Sequence, residues 1–208
     1  MAELTTTSYA ILGLLSLREW TTYELAAQMK RSLDHVWPRA ERKLYDEPKR
    51  LVEAGYARAR KDAVGRRPRT IYTITPAGRR ALRRWLDTPV AGPTLEFEGI
   101  LRVLFADQGD LDQLRATLRM IGEQAAETRA RFAAMATDTL VNRTFAERIH
   151  VNALGMRFMI DHYEHIARWA EWALSVVDGW PDAREGATTW ADGARSVFEE
   201  AARAAGRR

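Results

Sequence analysis

The 208-residue chain has no cysteine. That excludes disulfides, thiolate-bound metals and a cysteine nucleophile, and it is compatible with a reducing cytoplasm. Long apolar runs are also missing. The N-terminal stretch MAELTTTSYAILGLLSLREW lacks a basic leader, and its apolar core is too short to span a bilayer. The expectation is a soluble intracellular, cytoplasmic protein with no membrane partner. There is no P-loop, no His-Glu-x-x-His and no Gly-x-Gly-x-x-Gly opening a helix after a strand. Neither catalysis nor a cofactor is therefore expected.

What is present is a hydrophobic content of 46%, enough for a packed core, and an uneven spread of charge. Residues 1–89 hold 18 Lys and Arg against 10 Asp and Glu, a net of +8; the remainder nets −4. Arginine dominates the basic set, and its planar fork suits phosphates and guanine edges. A basic first half joined to an acidic second half points to a nucleic-acid module carried on a second domain.

The first half reads as three short helices followed by a hairpin. Thr5–Leu17 is apolar on nearly every side and must be covered by neighbours. Thr21 and Glu24 form a capping-box pattern ahead of a helix over Thr22–Arg31. Trp37-Pro38 opens a third helix over Pro38–Ala54, with Gly55 as its left-handed stop. On this helix Ala40, Leu44, Pro48, Leu51 and Val52 share a core face. Arg39, Arg42, Asp46, Lys49 and Arg50 form the opposite ridge, flanked by Lys43 and Tyr45. Residues 56–60 alternate as a half-exposed strand does, and Thr70–Thr75 is a second strand by composition. Between them lies a basic loop with Gly65, Arg66, Arg67, Pro68 and Arg69. Thr75-Pro76 caps a further helix to about Leu86, and the run from Asp87 to Pro93 breaks it.

The second half is helical. A short apolar helix over Thr94–Ala106 precedes Gly109-Asp110. Leu111, Leu114, Leu118, Ile121, Ala125, Thr128, Phe132 and Met135 then follow at alternating spacings of three and four. Phe145, Ile149, Asn152, Met156, Met159, Tyr163, Ile166, Ala170, Ala173 and Val177 do the same, over a helix of roughly 50 Å. An apolar face this wide calls for a second chain as partner. The dimerisation residues expected are Leu114, Leu118, Ile121, Ile149, Met156, Tyr163 and Ile166. After Trp180-Pro181 a last amphipathic helix is expected over about Thr188–Ala205.

Three helices and a two-stranded hairpin in this order make a winged helix-turn-helix. The fold class is mainly α: an N-terminal winged domain over 1–88, a coiled-coil-like all-α dimerisation domain over 94–180 and a C-terminal amphipathic helix over 181–208. Three stretches carry a family resemblance: Ser8 through Leu15, Leu44-Tyr45 through Tyr56, and Gly65 through Gly78. With Trp37-Pro38 and the long helical half, the chain resembles the PadR family of transcriptional regulators, in its branch related to virulence-gene activators. The resemblance implies a homodimer held by the C-terminal helices, operators with two half-sites and a small-molecule effector. This chain departs from the family in having Pro48 on the third helix. Proline removes the bond to the Leu44 carbonyl, so a kink or local loosening is expected there.

The DNA-contacting residues expected are Arg39, Arg42, Lys43, Tyr45 and Lys49 on the third helix, and Arg66, Arg67 and Arg69 on the wing. Double-stranded DNA and a second copy of the chain are the expected partners. An adaptor that uses the winged domain for protein docking is the alternative, but it has no need of a basic ridge and a basic wing together. MarR-type regulators flank the winged domain with dimerisation helices and fit less well. The run Asp161-His162-Tyr163-Glu164-His165 has metal-like spacing but no further ligand cluster, and no metal is expected. Trp169, Trp172, Trp180 and Trp190 can line a pocket for a small aromatic effector, with packing as the better reading for each alone.

Overall fold

A computed structural model describes residues 3–37, 41–64, 67–143, 145–184 and 186–205, with the side chains of 41–43, 64, 67, 186, 187 and 205 left aside. The chain divides into two compact units, Met1–Pro93 and Thr94–Arg208.

The first unit is built around helix α1 (Thr6–Leu17). Its start is fixed by a capping box in which the Thr5 hydroxyl accepts from the Ser8 N–H and the Ser8 hydroxyl accepts from the Thr5 N–H. Ile11, Leu12 and Leu15 are fully buried, so α1 is the post against which the rest packs. A two-residue strand β1 (Trp20–Thr21) follows, and the Trp20 indole N–H donates to the Leu14 carbonyl at 2.8 Å. Helix α2 (Thr22–Ser32) opens with the expected capping box of Thr21 and Glu24 and buries Leu25, Ala26 and Met29.

Helix α3 is described over Glu41–Glu53; residues 38–40 of the expected Pro38–Ala54 lie outside the described residues. The helix continues through Pro48 without interruption. The ring is fully buried with Leu51, and Leu44 is buried beside them. Core packing on the Leu44–Pro48–Leu51 face holds the helix where one backbone bond is missing. Gly55 ends it at φ +78°, in the left-handed region that favours glycine.

The hairpin strands β2 (Ala57–Val64) and β3 (Arg67–Ile74) are longer than the sequence suggested. Lys61, Asp62, Pro68 and Arg69 were expected in a loop but are paired: Asp62 faces Arg69 and Ala63 faces Pro68. Their polar composition hid a cross-strand charge pair that favours the ladder. The sheet also has three strands in the order β1-β3-β2, not two. β1 pairs only with Ile71 and Tyr72, too short a run to show a period. Pro68 lies beyond its reach, where β3 has a neighbour on one side only and tolerates a missing N–H.

Helix α4 (Pro76–Leu86) is capped by Thr75, whose hydroxyl accepts from the Gly78 N–H and donates to the Gly55 carbonyl at 2.8 Å. A Cβ at Gly78 would lie 2.2 Å from the Tyr56 carbonyl oxygen, so only glycine lets α4 sit this close to the end of α3. Trp85 stacks on Tyr9 of α1 at 5.0 Å.

The second unit starts with α5 (Glu98–Leu104), shorter than the expected Thr94–Ala106. The acidic Glu98 occupies its first turn, where it complements the helix dipole. The long helices α6 (Leu111–Asn142) and α7 (Ile149–Val177) pack antiparallel: Arg115 pairs with Asp178 at 3.2 Å, Arg129 with Glu164, and Phe132 stacks on Tyr163 at 6.0 Å. Between them Arg143 and Phe145 take left-handed φ values of 49° and 58° without being glycine. Leu114, Leu118 and Ile121 are 4%, 1% and 3% exposed. These residues, expected to pair two chains, are thus buried within this one, Leu114 and Leu118 in a cluster with Ala173 and Val177 of α7. The last segment is split at Trp190 into α8 (Gly186–Thr189) and α9 (Ala191–Ala205), where one helix was expected. No described helix is long and apolar enough to cross a membrane.

Leu12→Ala is expected to destabilise the first unit by about 2–5 kcal/mol, the range for truncating a buried leucine. Leu86→Ala, on an exposed residue, is expected to change stability by no more than about 0.5 kcal/mol. Urea unfolding of the two variants checks the contrast.

Candidate nucleic-acid interface

The cations singled out by sequence gather on α3 and on the hairpin. Arg39 and Arg66 lie outside the described residues. Arg42 and Lys43 fall on the first turn of α3 and Arg67 opens β3; their side chains are not described. Tyr45 is half-buried and Lys49 is exposed.

Among the described residues, four cations on these elements lie against carboxylates. The Lys49 ammonium donates to Asp46 at 3.2 Å, one turn back on the exposed face. Arg50 Nη1 donates to Glu47 Oε2 at 3.0 Å. On the hairpin, Arg69 Nε and Nη2 both donate to Asp62 Oδ2, at 2.9 and 2.6 Å. Arg60 lies 3.9 Å from the same carboxylate and 3.7 Å from Glu19. Each tether fixes the direction of a flexible side chain while leaving the cation in reach of solvent. Arg69 brings the strongest case, a fork held from across the strand.

Asp62 is held below the usual aspartate range, first by the hydrogen bonds from Arg69 and then by the Ala63 N–H at 2.9 Å. A carboxyl with a lowered pKa in the paired form contributes its clasp fully above its ordinary pKa. The clasp is lost as pH falls through the lowered value.

Two members of this arrangement were missed in the sequence. Glu47 is buried, because positions 44, 47, 48 and 51 share one face of a helix. Its spacing from Leu44 and Leu51 was the available signal. Asp62 faces Arg69 because the strands run to within two residues of each other. The pairing of Val64 with Arg67 fixes that register. A further basic face on α4, with Arg79, Arg80, Arg83 and Arg84, is exposed; Arg79 Nη1 donates to the Ser16 carbonyl at 3.3 Å.

In the second unit, Asp161 pairs with Arg157 at 2.7 Å and His162 stacks on Phe158 at 5.9 Å. Among the described residues no group of three or more His, Asp or Glu side chains is placed to hold a metal ion. Trp169 and Trp180 pack against the cluster of Leu114, Leu118, Ala173 and Val177. Trp190 sits 6.2 Å from Trp172 and 6.1 Å from Trp180. The Trp180 indole N–H is buried without a hydrogen-bond partner.

An NMR titration of the Asp62 carboxyl is expected to give a midpoint below that of ordinary aspartate, and Arg69→Gln is expected to bring it back toward the ordinary range. An unchanged midpoint in Arg69→Gln would remove Arg69 as the principal cause.

Comparison with known proteins places both units. Residues 11–84 match the transcriptional regulator PadR-like family, and residues 98–178 match the virulence activator alpha C-terminal family. The negative transcriptional regulator PadR of Bacillus subtilis (strain 168) is 33% identical over 99 residues, which is 47% of this chain and 54% of that protein. The chain thus spans about half the length of this curated relative. The solved structure of Bacillus subtilis PadR in complex with operator DNA is similar with a TM-score of 0.75 at 20% identity, over 85% of this chain and 99% of that one. Its complex with p-coumaric acid gives 0.68 at 20% identity, over 84% and 99%. The Vibrio cholerae virulence activator AphA gives 0.63 at 22% identity, over 83% and 98%. At these identities the likeness to the solved structures is one of fold.

Proposed function

Given that this chain belongs to the PadR-like family of transcriptional regulators, we propose that it acts as a homodimer on a pseudo-palindromic DNA operator, in the cytoplasm where that DNA lies. The family is one of regulators rather than an enzyme class. The single observation that carries the DNA reading is the coincidence of the α3 ridge and the paired hairpin on one basic unit. In the proposal, α3 enters the major groove with Arg42, Lys43, Tyr45 and Lys49, and Arg39 lies just ahead of it. The hairpin brings Arg66, Arg67 and Arg69 to the flanking backbone or minor groove. Half-sites then lie about one helical turn, or a multiple of it, apart.

Support for pairing of two chains comes from the apolar residues that the α6–α7 hairpin leaves open near its turn. Leu154 is 75% and Phe158 60% exposed, and Leu140, Val141, Ile149 and Val151 are exposed with them. A patch of this kind is a candidate protein contact. Ile149, on the early part of α7, and the half-buried Met156 remain in the proposed interface, with Tyr163 and Ile166 farther along the same helix.

For the effector, the specific observation is the buried Trp180 N–H without an acceptor inside a group of three indoles. We propose a small aromatic acid as the ligand, since its ring stacks on indoles and its carboxylate accepts from an N–H. The PadR complex with p-coumaric acid makes that compound the natural first probe.

Binding to a duplex selected by the protein from a random pool is expected to weaken on the order of a thousandfold between about 50 and 200 mM salt, if six or more phosphates are contacted. Arg42→Ala is expected to cost about 1–3 kcal/mol on the selected duplex and to relax its sequence preference. Arg67→Ala is expected to weaken selected and random duplexes alike. Fluorescence titration reads all three, and binding that ignores salt would count against the proposal. Phe158→Glu is expected to shift the chain from dimer to monomer in analytical ultracentrifugation; a wild-type chain that sediments as a monomer at micromolar concentration would remove the homodimer.

A further inference from the structure

Glu47 is a carboxylate in the core of the first unit, 7% exposed. A buried carboxylate persists only when its oxygens are engaged. Oε1 accepts from the Ser8 hydroxyl at 2.5 Å and Oε2 from Arg50 Nη1 at 3.0 Å. Ser8 is itself buried and fixed, because its hydroxyl also takes the Thr5 N–H at 2.9 Å in the capping box of α1. A chain of polar contacts therefore runs from the start of α1, through Glu47, to Arg50 on the outer side of α3.

The next residue is Pro48, fully buried and in mid-helix. It has no N–H to donate to the Leu44 carbonyl. The missing bond separates the turns that bear Arg42, Lys43 and Tyr45 from the turn that bears Lys49 and Arg50. Apolar packing of Leu44, Pro48 and Leu51 fills space there but tolerates rotation about the helix axis. A hydroxyl–carboxylate bond does not, since it is short and directional.

We propose that Glu47 is the positioning residue of the reading helix. Its bond to Ser8 sets the roll of α3 on α1 at the point where Pro48 has removed a backbone bond. The inference rests on the reading of α3 as the DNA-facing helix, and it adds a residue that touches no base.

The test uses the full-length protein, a short duplex it selects from a random pool and a random duplex of equal length. Glu47→Gln and Ser8→Ala are each expected to lose about tenfold in affinity for the selected duplex, with affinity for the random duplex unchanged. The double variant is expected to be no worse than the more affected single one, as for two ends of one contact. Pro48→Ala, which restores the backbone N–H, is expected to recover affinity in the Glu47→Gln background. Thermal melting certifies that each variant is folded at the binding temperature; if Glu47→Gln is not, Ser8→Ala carries the test. Unchanged discrimination, equal losses on both duplexes, or no recovery by Pro48→Ala overturns the role of Glu47 while the DNA reading stands. A wild-type protein that selects no duplex brings down both.

Discussion

The first unit depends on one constraint: α1 is apolar nearly all round and must be enclosed. Ile11, Leu12 and Leu15 face neighbours on several sides, and each fully buried leucine or isoleucine contributes roughly 1.5–3 kcal/mol. α2, α3, α4 and β3 all pack against this helix. The orientation of α3 is therefore a consequence of what α1 needs covered. The hairpin follows in turn, because β1 lies directly after α1 and pairs with Ile71 and Tyr72 of β3. The core helix α1 thus sets where the other elements of the first unit stand.

The second unit solves a similar problem only in part. The seam of α6 and α7 closes from Leu114 to Phe132 on one side and from Met159 to Val177 on the other. Beyond those points the helices continue toward their turn with large apolar side chains exposed. Two helices can enclose one stripe each, and here the apolar residues occupy more than one stripe. The difference between the closed and the open end is what distinguishes the residues that hold the hairpin from those left for another surface.

Much of this was legible in the sequence, for reasons that can be named. Capping residues, a proline start and a glycine stop located the helices of the first unit to within a few residues, because they answer local hydrogen-bonding needs. The three-four spacing located α6 and α7 because residues three and four apart fall on one helix face, the face that is buried. What escaped was set by pairing at a distance. β1 is too short to carry a pattern. Asp62 and Arg69 looked like loop residues until their register was known. Leu114, Leu118 and Ile121 belonged to a heptad seam, but a seam does not say whether its partner is the same chain or another. Glu47 carries a charge, which ordinarily marks an exposed position, but its spacing from Leu44 and Leu51 puts it on the core face.

The tethered cations raise the question of whether internal carboxylates cancel the attraction of the basic surface for a polyanion. Magnitudes decide it. An exposed ion pair is worth about 0–1 kcal/mol, because water screens it and two side chains must be held still. A phosphate contact releases condensed counterions from DNA, a gain that an isolated aspartate does not offer. In the proposed complex Lys49 and Arg69 therefore exchange Asp46 and Asp62 for phosphate at little cost. Before that exchange the tether has already restricted the side chain, so less conformational freedom remains to be lost on contact. The carboxylates of this surface thus act on direction more than on net charge. The same argument separates them from Glu47, whose bond to the buried Ser8 hydroxyl cannot be exchanged without opening the core.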